Sequence, residues 1–257
     1  MGLNRLKDKV AILTGVAGGI GTCFAHALAD EGAKLLVTDI KSEGEKVAGA
    51  VKKKGGKVIF MQMDITKEAD TQAMAKKAID TYGRIDILIN NAAVFGGLKL
   101  APVMDVDVNL WRKVIDTNIT GTFLCCRAVI PQMIKQKKGN IINISSTIWI
   151  YAKIPLIHYI TTKGALIGFT RCLAGDPTIN NNGIRVNALM PGGTWDEATL
   201  GILGGIPGVE EKILGEQNIH RREMPEDLIG PLIFLCSEES AIMSGNAVAA
   251  DAGLAVW

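Results

Sequence analysis

Short apolar runs of strand length alternate with helix-like segments along nearly the whole chain, and this alternation restricts the fold more than any other feature. Successive strands joined by helices run parallel, because each helix carries the chain back across the sheet. Seven strands are predicted, at residues 10–13, 34–38, 57–61, 85–89, 140–144, 184–189 and 246–250. The pattern therefore predicts an α/β fold, a doubly wound parallel sheet of seven strands with helices on both faces.

The segments between the strands fit one domain. A long helical region is predicted over residues 108–137, and another helix begins near residue 159. Residues 192–222 are rich in glycine and small apolar residues and have no clean period. No internal repeat or interdomain linker interrupts the pattern, so we expect residues 1–257 to form a single domain.

Composition excludes several classes of protein. With 28 basic and 26 acidic residues, the formal net charge of +2 gives no electrostatic basis for binding nucleic acid or an anionic membrane. No apolar run reaches the roughly 18 residues that span a bilayer. The five cysteines have neither a metal-binding spacing nor a disulfide framework, so we expect no metal and a reducing compartment. A cytoplasmic enzyme or binding protein is the simplest interpretation.

A glycine-rich turn at residues 14–21 separates the first strand from the first helix. Gly15, Gly19 and Gly21 would let the backbone approach a pyrophosphate, which a helix N-terminus attracts. Asp39 ends the second strand, where a carboxylate can bind ribose hydroxyls and repel a 2′-phosphate, which favours NAD over NADP. Lys41 would offset part of that repulsion, and capping of the next helix is an alternative or additional role for Asp39.

Tyr159 and Lys163 are four residues apart and share one face of a predicted helix. An ammonium group beside a phenol is expected to lower the pKa of the phenol, which would make Tyr159 a base. A solvated helix pair is the alternative for this motif on its own. Its combination with the glycine turn favours a catalytic pair.

An ordered set of motifs resembles the short-chain dehydrogenases/reductases over essentially the full length of the chain. The matching residues are the turn at 14–21, Asp64, the Asn-Asn-Ala-Ala sequence at 90–93, Asn118, the Asn-Ile-Ser-Ser sequence at 143–146, Tyr159, Lys163 and the Pro-Gly pair at 191–192. The last alanine of residues 90–93 replaces the family's glycine. The family has a threonine after Pro-Gly that contacts the nicotinamide, and Thr194 lies nearer the proline than this threonine usually does.

The resemblance implies a Rossmann-type domain and a set of site residues. It implies catalytic roles for Asn118, Ser146, Tyr159 and Lys163, with Ser146 preferred over Ser145 by the family's spacing to the tyrosine. It implies that the cofactor contacts Gly15, Gly19, Ile20, Gly21, Asp39, Asp64, Ile65, Asn91, Ala92, Tyr159, Lys163, Pro191, Gly192 and Thr194. Candidates for the substrate pocket are Val94, Phe95, Ile148, Trp149, Ile154 and Trp195, and packing in the core is the alternative role for several of them. Residues 193–222 would form a flexible lid.

The leading hypothesis is an oxidoreductase that transfers hydride between NAD and a secondary or ring-bearing, moderately hydrophobic alcohol or ketone. The alternatives are an NADP-dependent carbonyl or 3-oxoacyl reductase and a non-catalytic dinucleotide-binding regulatory protein. A homotetramer is also expected, because the family commonly forms one and residues 252–257 are apolar up to Trp257. Packing of that tail on its own subunit is the competing explanation.

Overall fold

The computed structural model describes residues 3–255, and its strands form a single parallel sheet. The strand bounds are β1 Val10–Thr14, β2 Lys34–Asp39, β3 Lys57–Gln62, β4 Ile87–Asn90, β5 Gly139–Ile144, β6 Ile184–Pro191 and β7 Ala247–Ala250. They lie in the order β3-β2-β1-β4-β5-β6-β7. This confirms the predicted seven-stranded, doubly wound parallel sheet.

Helices connect the strands and cover the sheet. Their bounds are α1 Gly19–Asp30, α2 Gly44–Lys53, α3 Glu68–Tyr82, α4 Val108–Ile115, α5 Thr122–Gln136, α6 Ile148–Tyr151, α7 Ile157–Gly175, α8 Pro177–Asn180, α9 Glu197–Leu203, α10 Val209–Glu216 and α11 Ile229–Cys236. No helix within residues 3–255 is both long enough and apolar enough to cross a membrane.

Alternation along the strands produces two apolar layers. In β1, Ala11 and Leu13 pack in a layer with Phe24 of α1, whereas Ile12 points to the opposite layer with Met74 of α3. Side chains two residues apart share a face of a strand, so a fully apolar strand buries both of its faces. This explains why the strands read as continuous apolar runs.

The region predicted as one helix over residues 108–137 is interrupted. A π-helical segment, Asp116–Gly121, separates α4 from α5. A Cβ on Gly121 would lie 2.6 Å from Ile65 Cγ1, so the wide turn brings this backbone close to the loop after β3. Single π turns within helices recur at functional sites, and this one carries Asn118.

Residues 192–222, which show no clean period in the sequence, contain two short helices. Asp196 caps α9 by accepting a hydrogen bond from the N–H of Thr199 at 2.9 Å, and α10 follows Gly208, whose φ is +72°. The tail folds back as far as it is described: the N–H of Ile219 donates to the carbonyl of Ala252 at 2.9 Å. Trp257, on which the assembly hypothesis partly depends, lies outside the described residues.

Candidate active site

A cavity of about 520 Å³ lies at the carboxyl edge of the sheet. The strand order reverses between β1 and β4, and the loops that leave these strands diverge and open a crevice there. Every residue predicted to contact a cofactor lines this cavity: Gly15, Gly19, Ile20, Gly21, Asp39, Asp64, Ile65, Asn91, Ala92, Tyr159, Lys163, Pro191, Gly192 and Thr194. The fold thus gathers into one cavity residues that lie far apart in the sequence.

The turn after β1 requires glycine at two positions. Gly15 has a φ of +71°, and a Cβ there would lie 2.6 Å from the Cα of Ala92. A Cβ on Gly21 would lie only 2.0 Å from the carbonyl oxygen of Gly15. Helix α1 begins at Gly19 without a side-chain cap, so its first N–H groups form an anion site at the cavity wall.

Thr14 and Asn91 join this turn to the end of β4. The hydroxyl oxygen of Thr14 accepts hydrogen bonds from the N–H groups of Asn91 and Ala92, each at 3.1 Å. Asn91 Nδ2 donates to the carbonyls of Thr14 at 3.1 Å and Gly15 at 2.8 Å. The side chain of Asn91 therefore shapes the turn itself. This role of Thr14 depends on a contact between strands, so it could not be predicted from the sequence.

Asp39 connects the end of β2 to the glycine turn. Its Oδ2 accepts a hydrogen bond from the N–H of Ala17 at 2.8 Å, and its Oδ1 accepts one from the N–H of Lys41 at 2.9 Å. The carboxylate is held at the cavity wall by these two bonds. An anion site at α1 and carboxylates on the β2–β3 side together fit the phosphates and the ribose of a dinucleotide.

Tyr159, Lys163 and Ser146 meet at the other end of the cavity. Lys163 Nζ donates to the carbonyl of Ile144 at 2.7 Å and lies 5.3 Å from the centroid of the Tyr159 ring. Ser146 Oγ donates to the carbonyl of Pro191 at 3.1 Å. Ser145 instead donates to the carbonyl of Lys163 at 2.6 Å. Ser146 is thus hydrogen-bonded to the Pro-Gly turn that is predicted to contact the cofactor. The hydrogen bond of Ser145 instead connects the end of β5 to α7.

Asn118 lies behind the cavity wall, with 1% of its surface exposed. Its Oδ1 accepts from the N–H of Val94 at 2.7 Å, and its Nδ2 donates to Thr162 Oγ1 at 3.0 Å. Thr162 donates in turn to the carbonyl of Tyr159 at 2.7 Å. Asn118 thus connects the loop after β4 to the helix that carries Tyr159 and Lys163.

The protonation of the Tyr159–Lys163 pair differs from the sequence-based expectation. Burial raises the pKa of Tyr159 above its ordinary value, and the negative charge of Asp196 adds to the rise. Burial lowers the pKa of Lys163 to about 7. The expectation that Lys163 lowers the pKa of Tyr159 is therefore wrong for the protein alone, because a buried site disfavours both charged forms. Without a ligand, Tyr159 is therefore neutral near pH 7, whereas Lys163 can exchange its proton there.

Apart from Ser146, Lys163 and Asp196, the wall at the Tyr159 end of the cavity is largely apolar. Val94, Phe95, Ile148 and Ile154 line it as predicted, and the Phe95 and Tyr159 ring centroids are 4.7 Å apart. Apolar residues that were not predicted also line the cavity: Leu156, Ile202, Leu203, Ile213 and Leu254. Three of them lie on α9 and α10, which the sequence pattern did not predict. The wall is thus built from the loop after β4, the α6 region and the segment after β6.

Two tryptophans predicted for the substrate pocket lie elsewhere. Trp195 is 4% exposed and packs with Leu203 and Ile213, with the Arg222 guanidinium 4.9 Å from its ring. Trp149 packs against a cluster that contains Ile167 and Met190. Both belong to small apolar cores behind the cavity wall, because the chain turns their large rings toward apolar neighbours. The assignment of Trp149 and Trp195 to the pocket is therefore corrected.

Glu223 is a buried acid that the sequence analysis missed. Only 4% of it is exposed, and its two oxygens accept hydrogen bonds from the N–H of Gly192 and the hydroxyl of Thr194. Burial raises its pKa to about 7; Asp251 and Asp227 reinforce the rise, and the two hydrogen bonds oppose it. Thr194 lines the cavity, but its hydroxyl is engaged with Glu223. Glu223 thereby braces the turn after β6.

The raised pKa of Glu223 predicts that the free energy of unfolding depends on pH. Because the pKa of Glu223 is raised, its contribution is greatest below the ordinary value of 4.5 and is lost as the pH rises through about 7. Relative to Glu223→Gln, which cannot ionise, the wild type should lose on the order of 3 kcal/mol of unfolding free energy between about pH 5 and pH 8. Urea unfolding at both pH values measures this difference. The exposed neighbour Glu226→Gln is the control, and a difference that does not change with pH would contradict the prediction.

Comparisons with known proteins agree with this geometry. Residues 9–199 match the family model described as short chain dehydrogenase. The 2-(S)-hydroxypropyl-CoM dehydrogenase 3 of Xanthobacter autotrophicus is 35% identical over 256 residues, which cover 98% of each chain. The 3-oxoacyl-[acyl-carrier-protein] reductase of Thermotoga maritima is 32% identical over 254 residues, 98% of this chain and 100% of the relative.

Solved structures have the same fold. The 3-ketoacyl-(acyl-carrier-protein) reductase from Brucella melitensis, complexed with NADH, matches with a TM-score of 0.89 at 29% identity, over 98% of this chain and 100% of that one. Levodione reductase also matches with a TM-score of 0.89 at 29% identity, over 97% of this chain and 98% of that one. From the family match, these full-length relatives and the cavity described above, we conclude that the chain belongs to the short-chain dehydrogenase family of oxidoreductases.

Proposed function

We propose that this protein transfers hydride between NAD and a secondary or ring-bearing, moderately hydrophobic alcohol or ketone. The observation that carries the proposal is that Tyr159 and Lys163 line an apolar end of the same cavity whose other part is lined by the glycine turn and Asp39. A proton-transfer pair and a dinucleotide cradle in one cavity suit the oxidation of an alcohol or the reduction of a ketone.

The mechanism assigns a role to each residue of the pair and its neighbours. When bound, the nicotinamide ring would supply a hydride acceptor or donor. Tyr159 would remove the hydroxyl proton of an alcohol, or protonate the oxygen formed from a ketone. Lys163, with a pKa lowered to about 7, can accept or release a proton near neutral pH and would stabilise the Tyr159 phenolate when charged. Ser146 would turn its hydroxyl from the carbonyl of Pro191 to the substrate oxygen.

Asp39 supports NAD as the cofactor. Its carboxylate is fixed by the N–H groups of Ala17 and Lys41, so it cannot readily move away from a 2′-phosphate. A fixed negative charge repels that phosphate and accepts hydrogen bonds from ribose hydroxyls. Lys41 also lines the cavity and weakens the repulsion without abolishing it.

Replacing Asp39 with alanine should shift cofactor preference toward NADP. We expect the ratio of the dissociation constants for NADP and NAD to fall about tenfold, since one repulsive charge and one ribose acceptor are removed. Calorimetric titration with each cofactor measures the ratio. Glu43→Ala, which removes a nearby exposed acid outside the cavity lining, is the control. An unchanged ratio in Asp39→Ala would mean that Asp39 only braces the turn.

The apolar wall supports an uncharged, hydrophobic substrate. Burying apolar surface drives binding in such a pocket. We also infer that residues 193–222 act as a lid, because Ile202, Leu203 and Ile213 of this segment contribute to the cavity wall. Closure of such a segment would exclude water from Tyr159.

The second candidate is an NADP-dependent carbonyl or 3-oxoacyl reductase. The names of two relatives, the 3-oxoacyl reductase of Thermotoga maritima and the 3-ketoacyl reductase of Brucella melitensis, favour the 3-oxoacyl substrate of this candidate, whereas the Brucella structure contains NADH and does not favour NADP. A panel of apolar alcohols and ketones, including a 3-oxoacyl thioester, should be assayed with NAD and NADP by nicotinamide absorbance. Turnover of apolar secondary alcohols with NAD supports the first candidate. Turnover confined to 3-oxoacyl thioesters with NADP supports the second.

The proposal also includes the oligomeric state and the cellular compartment of the protein. The homotetramer stays a prediction that light scattering can test, and the cytoplasm remains the proposed compartment. A non-catalytic regulatory protein is disfavoured by the retention of Asn118, Ser146, Tyr159 and Lys163 together.

A further inference from the structure

Asp196 is a carboxylate at the catalytic end of the cavity. Among the described residues that line the cavity, the acids are Asp39, Asp64 and Asp196. Asp39 ends β2 and Asp64 follows β3, on one side of the point where the strand order reverses, whereas Asp196 follows β6 on the other side. The negative charge of Asp196 therefore lies on the β5–β6 side of the crevice, near Tyr159. It is away from the β2–β3 side, where the adenosine of a dinucleotide would bind.

Two observations locate the charge between the first turn of α1 and Tyr159. Asp196 Oδ2 lies 2.9 Å from the position that a Cβ on Gly19 would occupy. The same carboxylate is close enough to Tyr159 to raise the pKa of the phenol. Asp196 therefore borders the stretch of cavity that connects the anion site of α1 with the proton-transfer pair.

The local fold holds this carboxylate in place. Asp196 Oδ1 accepts the capping hydrogen bond of α9 from Thr199, and the N–H of Asp196 donates to the carbonyl of Thr194 at 3.1 Å. The preceding N–H, of Trp195, donates to the carbonyl of Glu223 at 2.8 Å, and the Trp195 ring is buried. One carboxylate oxygen is thus used for the helix cap, and the other lies against Gly19.

A dinucleotide with its phosphates at α1 and its reactive ring at Tyr159 must pass Asp196. The oxidised nicotinamide ring carries a positive charge and the reduced ring does not, so a neighbouring carboxylate distinguishes them electrostatically. We propose that Asp196 is a specificity-determining residue that makes the site bind NAD⁺ in preference to NADH. This inference rests on the proposed function. Preferential binding of NAD⁺ would favour oxidation of an alcohol over reduction of a ketone.

Equilibrium binding tests the inference without turnover. NAD⁺ and NADH are titrated separately, with no substrate, into the wild type, Asp196→Asn and Asp196→Ser. Asparagine and serine both cap helices, so each variant removes the charge and keeps the cap of α9. We expect the ratio of the NADH and NAD⁺ dissociation constants to fall about tenfold in both variants. Glu197→Gln, which removes an exposed charge next to Asp196 outside the cavity lining, should leave the ratio unchanged.

The outcomes separate this inference from the proposed function. If both forms bind the wild type and the ratio is the same in the folded neutral variants, the role of Asp196 is overturned and the proposed function stands. If neither form binds the wild type, the proposed function fails and the inference fails with it. A ratio that also falls in Glu197→Gln would overturn the assignment to Asp196, because the effect would then belong to the general charge of α9. Two capping variants keep the test decisive if one of them does not fold.

Discussion

Replacing Tyr159 with phenylalanine is expected to lower turnover by about 10²–10⁴-fold, the range that general acid–base catalysis contributes. The substitution keeps the ring that packs 4.7 Å from Phe95 and removes only the hydroxyl group. Cofactor affinity should therefore change little. Steady-state kinetics with the best substrate of the panel, together with calorimetric titration of NAD, measure the two quantities.

Tyr82 provides a matched control for this substitution. Its hydroxyl donates to the carbonyl of Leu35 at 3.1 Å, near the start of β2, and Tyr82 is outside the cavity lining. Tyr82→Phe should keep wild-type turnover. A Tyr159→Phe variant that loses less than about a hundredfold in turnover would show that proton transfer by Tyr159 falls short of that range, and the mechanism would be wrong.

Replacing Gly21 with alanine should remove most of the affinity for the dinucleotide. The added Cβ would lie 2.0 Å from the carbonyl oxygen of Gly15, a backbone atom that can move only if the turn moves. Overpacking of this kind is worth about 1–3 kcal/mol, so we expect NAD to bind about 10–10²-fold more weakly. Calorimetric titration measures the affinity, and thermal unfolding shows how much of the effect is loss of fold.

Gly49 is the control for Gly21. It lies within α2, and a Cβ there would meet no atom within 4 Å. Gly49→Ala should bind NAD as the wild type does and unfold at the same or a slightly higher temperature, since alanine favours helix. If Gly21→Ala binds NAD with wild-type affinity, the glycine turn is not the pyrophosphate site.

The sheet was predictable because its physical cause is local. A strand buried on both faces is a continuous apolar run, and β1 shows this in Ala11, Ile12 and Leu13. The glycine turn could be predicted equally well, because the glycines that its backbone conformation requires lie close together in the sequence. The residues predicted to contact the cofactor gather in one cavity because parallel strands bring their carboxyl ends to a single edge of the sheet.

The parts that could not be predicted depend on contacts across the fold. Glu223 accepts a hydrogen bond from Gly192, which lies 31 residues earlier in the chain. The residues next to Glu223 in the sequence do not indicate that its side chain is buried. Trp195 was predicted to line the pocket because it follows the Pro-Gly pair. In the structure its ring packs instead in a small apolar cluster with Leu203 and Ile213. The pKa of Tyr159 depends on burial and on Asp196, neither of which the spacing to Lys163 reveals.

Transfer of deuterium tests the central claim most directly. A secondary alcohol from the panel, labelled with deuterium on the carbon that bears the hydroxyl, is incubated with the protein and NAD, and the reduced cofactor is analysed by mass spectrometry. We predict that the label appears in the reduced nicotinamide with the wild type and is nearly absent with Tyr159→Phe. Unlabelled cofactor with every alcohol of the panel, despite measurable NAD binding, would contradict the proposal that this cavity transfers hydride from an alcohol.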